Sequence, residues 1–171
     1  MTAAALAFTL LLLGADPLAC KGEKPGDKKI QTLRKTLEGG EMYKLAVAQL
    51  GAPTSCSVDW SKDALGVSSE VHYQLPKGAL SYINLPEQSI VTLDAGEGAA
   101  LDEAKVRDYL RNAQNAQVFR IDWKKAKPRV SEANGVRTEA YWTPGEDEGS
   151  HGIELSRKGG KLVTVRLTIG L

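Results

Sequence analysis

The stretch Ile153–Val165, I-E-L-S-R-K-G-G-K-L-V-T-V, indicates the fold most directly. Apolar residues recur on both sides of a glycine pair, which is typical of two antiparallel strands joined by a tight turn. A two-residue loop would place Leu155 opposite Thr164. A three-residue loop, Lys158–Gly160, instead places Leu155 opposite Val163. Because opposed residues share a face of a sheet, the sequence predicts the three-residue loop.

More strands are predicted towards the N-terminus. Asn134-Gly135 is a strong signal for a second hairpin. Phe119, Ile121 and Trp123 alternate with polar residues and predict a strand. Four further strands are predicted over residues 55–60, 70–75, 80–85 and 90–93.

Three helices are predicted from apolar residues spaced three or four apart. The first carries Ile30, Leu33 and Leu37 on one side. The second, Glu41–Leu50, is stopped by a glycine and a proline shortly after it. The third follows Asp102, whose carboxylate suits a helix N-terminus.

The order helices, strands, helix, strands predicts an α+β fold with helices packed on antiparallel β-sheet. The chain then divides into two tandem helix-plus-strands units, 28–95 and 96–171, or forms one continuous domain. Its 171 residues carry a net charge of only +1, with both signs interspersed. A nucleic-acid partner is not expected, since it would need a strongly basic surface.

The N-terminus resembles a bacterial lipoprotein signal peptide. The apolar run 3–13 is shorter than the about 20 residues of a membrane span and fits a signal-peptide core. Residues 1–19 are then the signal peptide, Cys20 is the lipidated residue, and 20–27 form a tether. Lys21 after the cysteine favours the outer membrane in this class of proteins.

Two alternatives stay open for the N-terminus. One is a plain secretory signal, which leaves Cys20 free to pair with Cys56 in an oxidising compartment. The other is a buried first helix of a cytosolic protein. The secretory signal, like lipidation, places the protein outside the cytoplasm.

The stretch 40–53, G-E-M-Y-K-L-A-V-A-Q-L-G-A-P, resembles the motif of the BamE (SmpA/OmlA) family of small outer-membrane lipoproteins. In that family a glycine opens a helix that ends in Leu-Gly-x-Pro before a β-hairpin. Two such units in tandem are also similar to the β-lactamase-inhibitor-protein fold, which implies a protein-binding concave sheet. The resemblance implies a non-catalytic role in stabilising envelope protein assemblies.

The reactive side chains of the sequence also indicate a non-catalytic protein. Glu146, Glu148 and His151 are weak candidates for a cation site, but the loop has no established metal-binding spacing. His72 falls on the polar side of its strand, and Cys56 has no neighbouring base for nucleophilic catalysis. No enzyme activity and no cofactor are therefore predicted.

Tyr141 and Trp142 face opposite sides of one strand, so one of them is expected to be exposed as an interface anchor. The leading interpretation is a lipid-anchored envelope protein that binds the membrane through its anchor and another envelope protein through the sheet. The alternative is a secreted or periplasmic protein that binds a ligand between helix and sheet, or acts as an inhibitor.

Overall fold

The structure, a computed structural model, describes residues 18–23, 28–63, 66–115, 121–143 and 151–170. Its helices are α1 (Lys28–Gly39), α2 (Glu41–Leu50) and α3 (Glu103–Asn115). Its strands are β1 (Ser55–Asp63), β2 (Gly66–Leu75), β3 (Gly78–Asn84), β4 (Gln88–Ala95), β5 (Arg129–Ala133), β6 (Val136–Trp142), β7 (His151–Lys158) and β8 (Lys161–Gly170).

All eight strands form one antiparallel sheet in the order β1-β2-β3-β4-β8-β7-β6-β5. The predicted α+β class, with helices packed on antiparallel β-sheet, is therefore wrong. In the part of the chain that the structure describes, the fold is dominated by the sheet and has three short helices. The boundaries 28–95 and 96–171 stay a prediction, although strands from both ranges lie in this one sheet.

The pairing of β4 with β8 joins the strands of both halves of the chain into one sheet. Leu93 lies opposite Val165, and Val91 lies opposite Leu167, so one apolar face continues across the junction. Thr164 also donates a hydrogen bond of 2.6 Å to Asp94, 70 residues away. Local sequence patterns carry no information on a pairing at that separation.

The helices cover one face of the sheet and leave the other face open. The face that we call the covered face packs against the helices, and its buried side chains include Val58, Val71, Tyr73, Leu80, Leu93, Ile153, Leu155 and Leu167. Met42, Ala46 and Leu50 of α2 and Val106 and Leu110 of α3 complete this core. The opposite face, called the open face, carries a row of mainly polar residues across five strands: His72, Ser81, Thr92, Arg166 and Glu154.

The last hairpin corrects a predicted register. The loop has two residues, Gly159 and Gly160, both at positive φ, and Lys158 pairs with Lys161. A β-bulge beside Ser156 then shifts the pairing by one residue, so that Leu155 lies opposite Val165 and not opposite Thr164. The predicted partner, Val163, is wrong. The apolar partners do share a face, as the pattern required, but a bulge achieves this instead of a longer loop.

The hairpin at Asn134-Gly135 is confirmed, with φ angles of 52° and 72°. The strand predicted through Phe119, Ile121 and Trp123 is wrong where the structure describes it, and Phe119 lies outside the described residues. The cause is Asp122. Its carbonyl oxygen accepts hydrogen bonds from two later backbone amides, which bends the chain into a turn.

All three predicted helices are confirmed. The amide of Gly51, at φ 94°, donates to the Val47 carbonyl oxygen at 3.0 Å and ends α2. Asp102 caps α3, because its Oδ1 accepts the amide of Ala104 at 3.0 Å. These caps set where α2 ends and α3 begins, and therefore how the helices sit on the sheet.

Candidate functional site

A half-open cavity of about 620 Å³ lies between the helices and the covered face. Its floor is formed by strands β3, β4 and β8, and its walls by the junction of α1 with α2 and by the second half of α3. The lining residues are mostly apolar: Leu37, Met42, Leu45, Tyr82, Val91, Tyr109, Leu167 and Ile169. Thr36, Glu41, Lys44 and Asn112 add polar groups.

The arrangement of α2 and α3 accounts for the position of the cavity. The last turn of α2 is tied to the start of α3, where the amide of Asp102 donates a 2.6 Å hydrogen bond to Gln49. The cavity is lined by the first half of α2, with Met42 and Leu45, and by α3 from its middle, with Tyr109, towards its C-terminal end, with Asn112. The helices are therefore joined at one end and leave space over the sheet at the other.

Four of the apolar residues that line this space are not fully buried, whereas Met42 and Leu167 are buried. Leu37, Leu45, Val91 and Ile169 are each half-buried, while neighbouring core residues such as Leu93 are completely buried. Protein interiors are normally packed without such gaps. An unfilled apolar space of this size is therefore a candidate ligand site.

Two tyrosines line the cavity, Tyr82 from the sheet and Tyr109 from a helix. Burial raises the pKa of Tyr82, and the neighbouring phenol of Tyr109 raises it further. Burial also raises the pKa of Tyr109, with a second contribution from the Glu41 carboxylate. Both phenols therefore stay neutral at physiological pH and keep their hydrogen as donors.

Glu41 and Lys44 place a compensated pair of charges at the cavity. The Lys44 ammonium lies 2.6 Å from the Glu41 carboxylate, and both side chains are largely exposed to solvent. An exposed pair of this kind contributes little to stability. Its effect here is to leave the cavity without a net charge from this pair.

A second cluster, which we call the N-terminal clamp, joins residues 18–23 to β1 and α1. Cys20 and Cys56 form a disulfide, and both are buried. The backbone of Lys21 lies alongside β1, with its amide donating to Cys56 and its carbonyl oxygen accepting from Val58, each at 2.8 Å. The segment is thus held by covalent and backbone bonds together.

Arg34 is the polar centre of the N-terminal clamp, with only 9% of its side chain exposed. It donates to Glu23 at 2.6 Å, to the Leu18 carbonyl oxygen at 2.6 Å and to Glu38 at 3.0 Å. The Tyr73 hydroxyl also donates to Glu38 at 3.0 Å. This network links α1, β2 and residues 18–23. Among the described residues, the buried Nε of Arg34 has no hydrogen-bond partner.

A third cluster joins α3 to the far end of the sheet. Arg157 lies between Glu103, at 2.7 Å, and Glu139, at 3.0 Å. Its hydrogen bond holds the pKa of Glu103 below the ordinary value, and Arg107 adds to this shift. Burial acts to raise the pKa of Glu139, but the charge of Arg157 lowers it on balance. This cluster is an internal ion-pair network.

The predicted interface residues are both half-buried. Tyr141 lies on the covered face, with its ring 4.9 Å from that of Trp123 and its hydroxyl bonded to Glu139. Trp142 lies on the open face, where its ring covers Gly152. The exposed aromatic in the described part of the chain is Trp60 on β1. The interface role of Tyr141 and Trp142 stays a prediction.

The other predicted positions do not converge. His72 lies on the open face as predicted and contacts Glu70 at 2.8 Å. His151 begins β7, and its carbonyl oxygen accepts the amide of Thr143. Glu146 and Glu148 lie outside the described residues. Among the residues that the structure describes, no three metal-ligating side chains come together.

The sequence is compatible with two modifications of Cys20. Its sulfur can carry either a lipid thioether or a disulfide, and in the structure it is bonded to Cys56. The cavity residues were not singled out in the sequence, because Tyr82 and Tyr109 have the spacing of ordinary core residues. Only the tertiary arrangement shows that both residues border a space.

No family model, curated protein or solved structure matches this chain. None of the helices that the structure describes is long and apolar enough to cross a membrane. The site must therefore be interpreted from its own geometry.

Proposed function

We propose that the protein is an exported, non-catalytic binding protein that holds an apolar small molecule in the cavity between its helices and its sheet. The observation that carries this proposal is the unfilled space of about 620 Å³ lined by apolar side chains. Small-molecule sites are typically concave, mostly apolar and about 300–1,000 Å³ in volume. They also contain a few polar groups that orient the ligand, as Tyr82 and Tyr109 would here.

The disulfide supports the exported location. Disulfides form and persist in oxidising compartments and are rare in the cytosol. The Cys20–Cys56 bond therefore fits a signal peptide removed upstream of the N-terminal clamp. Lipidation of Cys20 would require this disulfide to be absent, so the lipid anchor and the disulfide are competing proposals.

A neutral fluorescent probe tests the binding proposal. N-phenyl-1-naphthylamine should bind one site per molecule, with a rise in its fluorescence. Val91→Phe adds an aromatic ring to the cavity floor and should weaken binding by about tenfold or more, which corresponds to about 1.4 kcal/mol.

Thr92→Phe is the matched control, because the same ring is added at the next residue of β4 but on the open face. It should leave the probe affinity unchanged. Equal loss in both variants, or no saturable binding to the native protein, would contradict the proposal.

A second candidate is the envelope protein-interaction module, and the half-buried ring of Trp142 on the open face favours it. A photo-crosslinking residue at position 142 should then capture one specific envelope protein. The same crosslinker at position 141, on the covered face, should not. Identical products from both positions would argue against a defined contact surface.

A further inference from the structure

We infer that the cavity takes the single acyl chain of a neutral ester or amide, with the acyl carbonyl oxygen bound by the hydroxyls of Tyr82 and Tyr109. This inference rests on the proposed function and adds the class of ligand. Monoacylglycerols are the simplest compounds of this class.

The cavity floor has the shape for a chain. Tyr82 is the register partner of Val91, which in turn is the partner of Leu167. These three side chains form a straight row across neighbouring strands, about 10 Å long at two interstrand spacings. Met42, opposite this row, has a flexible side chain that adapts to irregular apolar surfaces. A narrow row of this kind offers continuous contact to an extended methylene chain.

The polar groups of the cavity select a hydrogen-bond acceptor. Within the described part of the chain, neither the Tyr82 nor the Tyr109 hydroxyl has a hydrogen-bond partner. By contrast, the Tyr73 hydroxyl outside the cavity donates to Glu38. A carbonyl oxygen has two lone pairs and can accept both free hydroxyl hydrogens.

The charges at the cavity favour a neutral ligand. Lys44 is already paired with Glu41 at 2.6 Å, and the Glu41 carboxylate acts on the Tyr109 phenol. The described lining offers Lys44 as a cation, and a ligand carboxylate would have to compete with Glu41 for it. Burying a charge without a partner is unfavourable, so an ester or amide fits better than a fatty acid.

Displacement of the bound naphthylamine probe from the full-length protein tests the ligand class. The competitors are monododecanoylglycerol and dodecanoate, both used below the concentrations at which they form micelles. The glycerol ester should displace the probe at least about tenfold more effectively than the carboxylate. Shortening its chain by two methylenes should weaken binding by up to about 15-fold, since each methylene contributes a factor of about four.

Tyrosine variants test the hydroxyl contacts. The double change of Tyr82→Phe and Tyr109→Phe keeps both rings and should weaken binding of the ester by about tenfold, while probe binding stays the same. Tyr43→Phe is the control, because the Tyr43 ring packs against Tyr73, which in turn packs against Tyr82, and Tyr43 is not among the residues that line the cavity.

Four other results would each contradict one part of the proposal. Dodecanoate binding as tightly as the ester would refute the neutral class. An unchanged ester affinity in the double variant would refute the hydroxyl contacts. Probe binding that neither compound displaces would refute the acyl ligand and leave the cavity as a binding site. Absence of probe binding would refute the proposed function itself.

Discussion

The N-terminal clamp and the cavity are two places where the helices meet the covered face, and they are built in opposite ways. At the clamp, a disulfide closes the contact, and the buried Arg34 donates hydrogen bonds to Glu23 and to the Leu18 carbonyl oxygen. At the cavity, apolar side chains stay half-buried and two hydroxyls lack partners within the described part of the chain. We interpret the difference as that between a contact that holds the fold together and a site that, in the proposed function, is completed by a ligand.

Among the changes proposed here, removal of the disulfide should lower the stability of the protein most. The bond closes a loop with a sequence separation of 36 residues. Loop-closure entropy then predicts that replacing both Cys20 and Cys56 by alanine lowers the free energy of unfolding by about 3–4 kcal/mol. Chemical denaturation of the variant and of the native protein measures the difference. A change below about 1 kcal/mol would show that residues 18–23 are not part of the stable fold.

Arg34→Met should be the next most damaging change. It leaves Glu23, Glu38 and the Leu18 carbonyl oxygen without their shared donor in a largely buried setting. We expect a loss of about 2–3 kcal/mol in the free energy of unfolding. Arg111→Met is the control, because its ion pair with Asp108 is exposed and should contribute less than about 0.5 kcal/mol. Equal effects of both variants would contradict the assigned role of the clamp.

Filling the cavity should stabilise the protein, whereas the two changes at the N-terminal clamp should destabilise it. Val91→Phe places additional apolar surface in empty space and should raise the free energy of unfolding by about 1 kcal/mol. The same denaturation measurement on Thr92→Phe, on the open face, should show no gain. A destabilised Val91→Phe variant would mean that the space is not free to accept a ring.

The comparison also shows what could be predicted from the sequence. The positions of the three helices, of most strands and of the turn at Asn134-Gly135 follow from local periodicity and from turn chemistry, and these predictions are confirmed. The strand predicted through Ile121 and Trp123 is wrong where the structure describes it. The fold class was wrong because it depends on β4 pairing with β8, a contact between distant segments. The bulge at Ser156 was missed because a longer loop satisfies the same apolar pattern.

The site was less predictable than the fold. A pocket between helix and sheet was one alternative, but no residue could be assigned to it. Tyr82 and Tyr109 become site candidates only because α2 and α3 are joined at Gln49 and Asp102 and leave space at their other ends. Such an arrangement leaves no periodic signal in the chain.

The ion pairs of α3 should give the smallest effect, seen as a pH dependence. The pKa of Glu103 is lowered in the folded protein from an ordinary value of 4.5. Its contribution to stability is therefore present above that value and is lost as the pH falls through the lower, folded-state pKa. Melting temperatures of Glu103→Gln and of the native protein should differ at pH 7 and converge at acidic pH. In an Arg157→Met background this pH-dependent difference should largely disappear, and its persistence would assign the shift to another group.

The state of Cys20 tests the central claim most directly, namely that this residue closes the fold and does not anchor it to a membrane. The measurement is the intact mass of the mature protein, produced with its own N-terminal segment, before and after reduction with thiol alkylation. We predict a chain that begins upstream of Cys20, carries no lipid and takes up two alkyl groups only after reduction. A mature chain that begins at Cys20 and carries a diacylglyceryl group would contradict the account and restore the lipid-anchored interpretation.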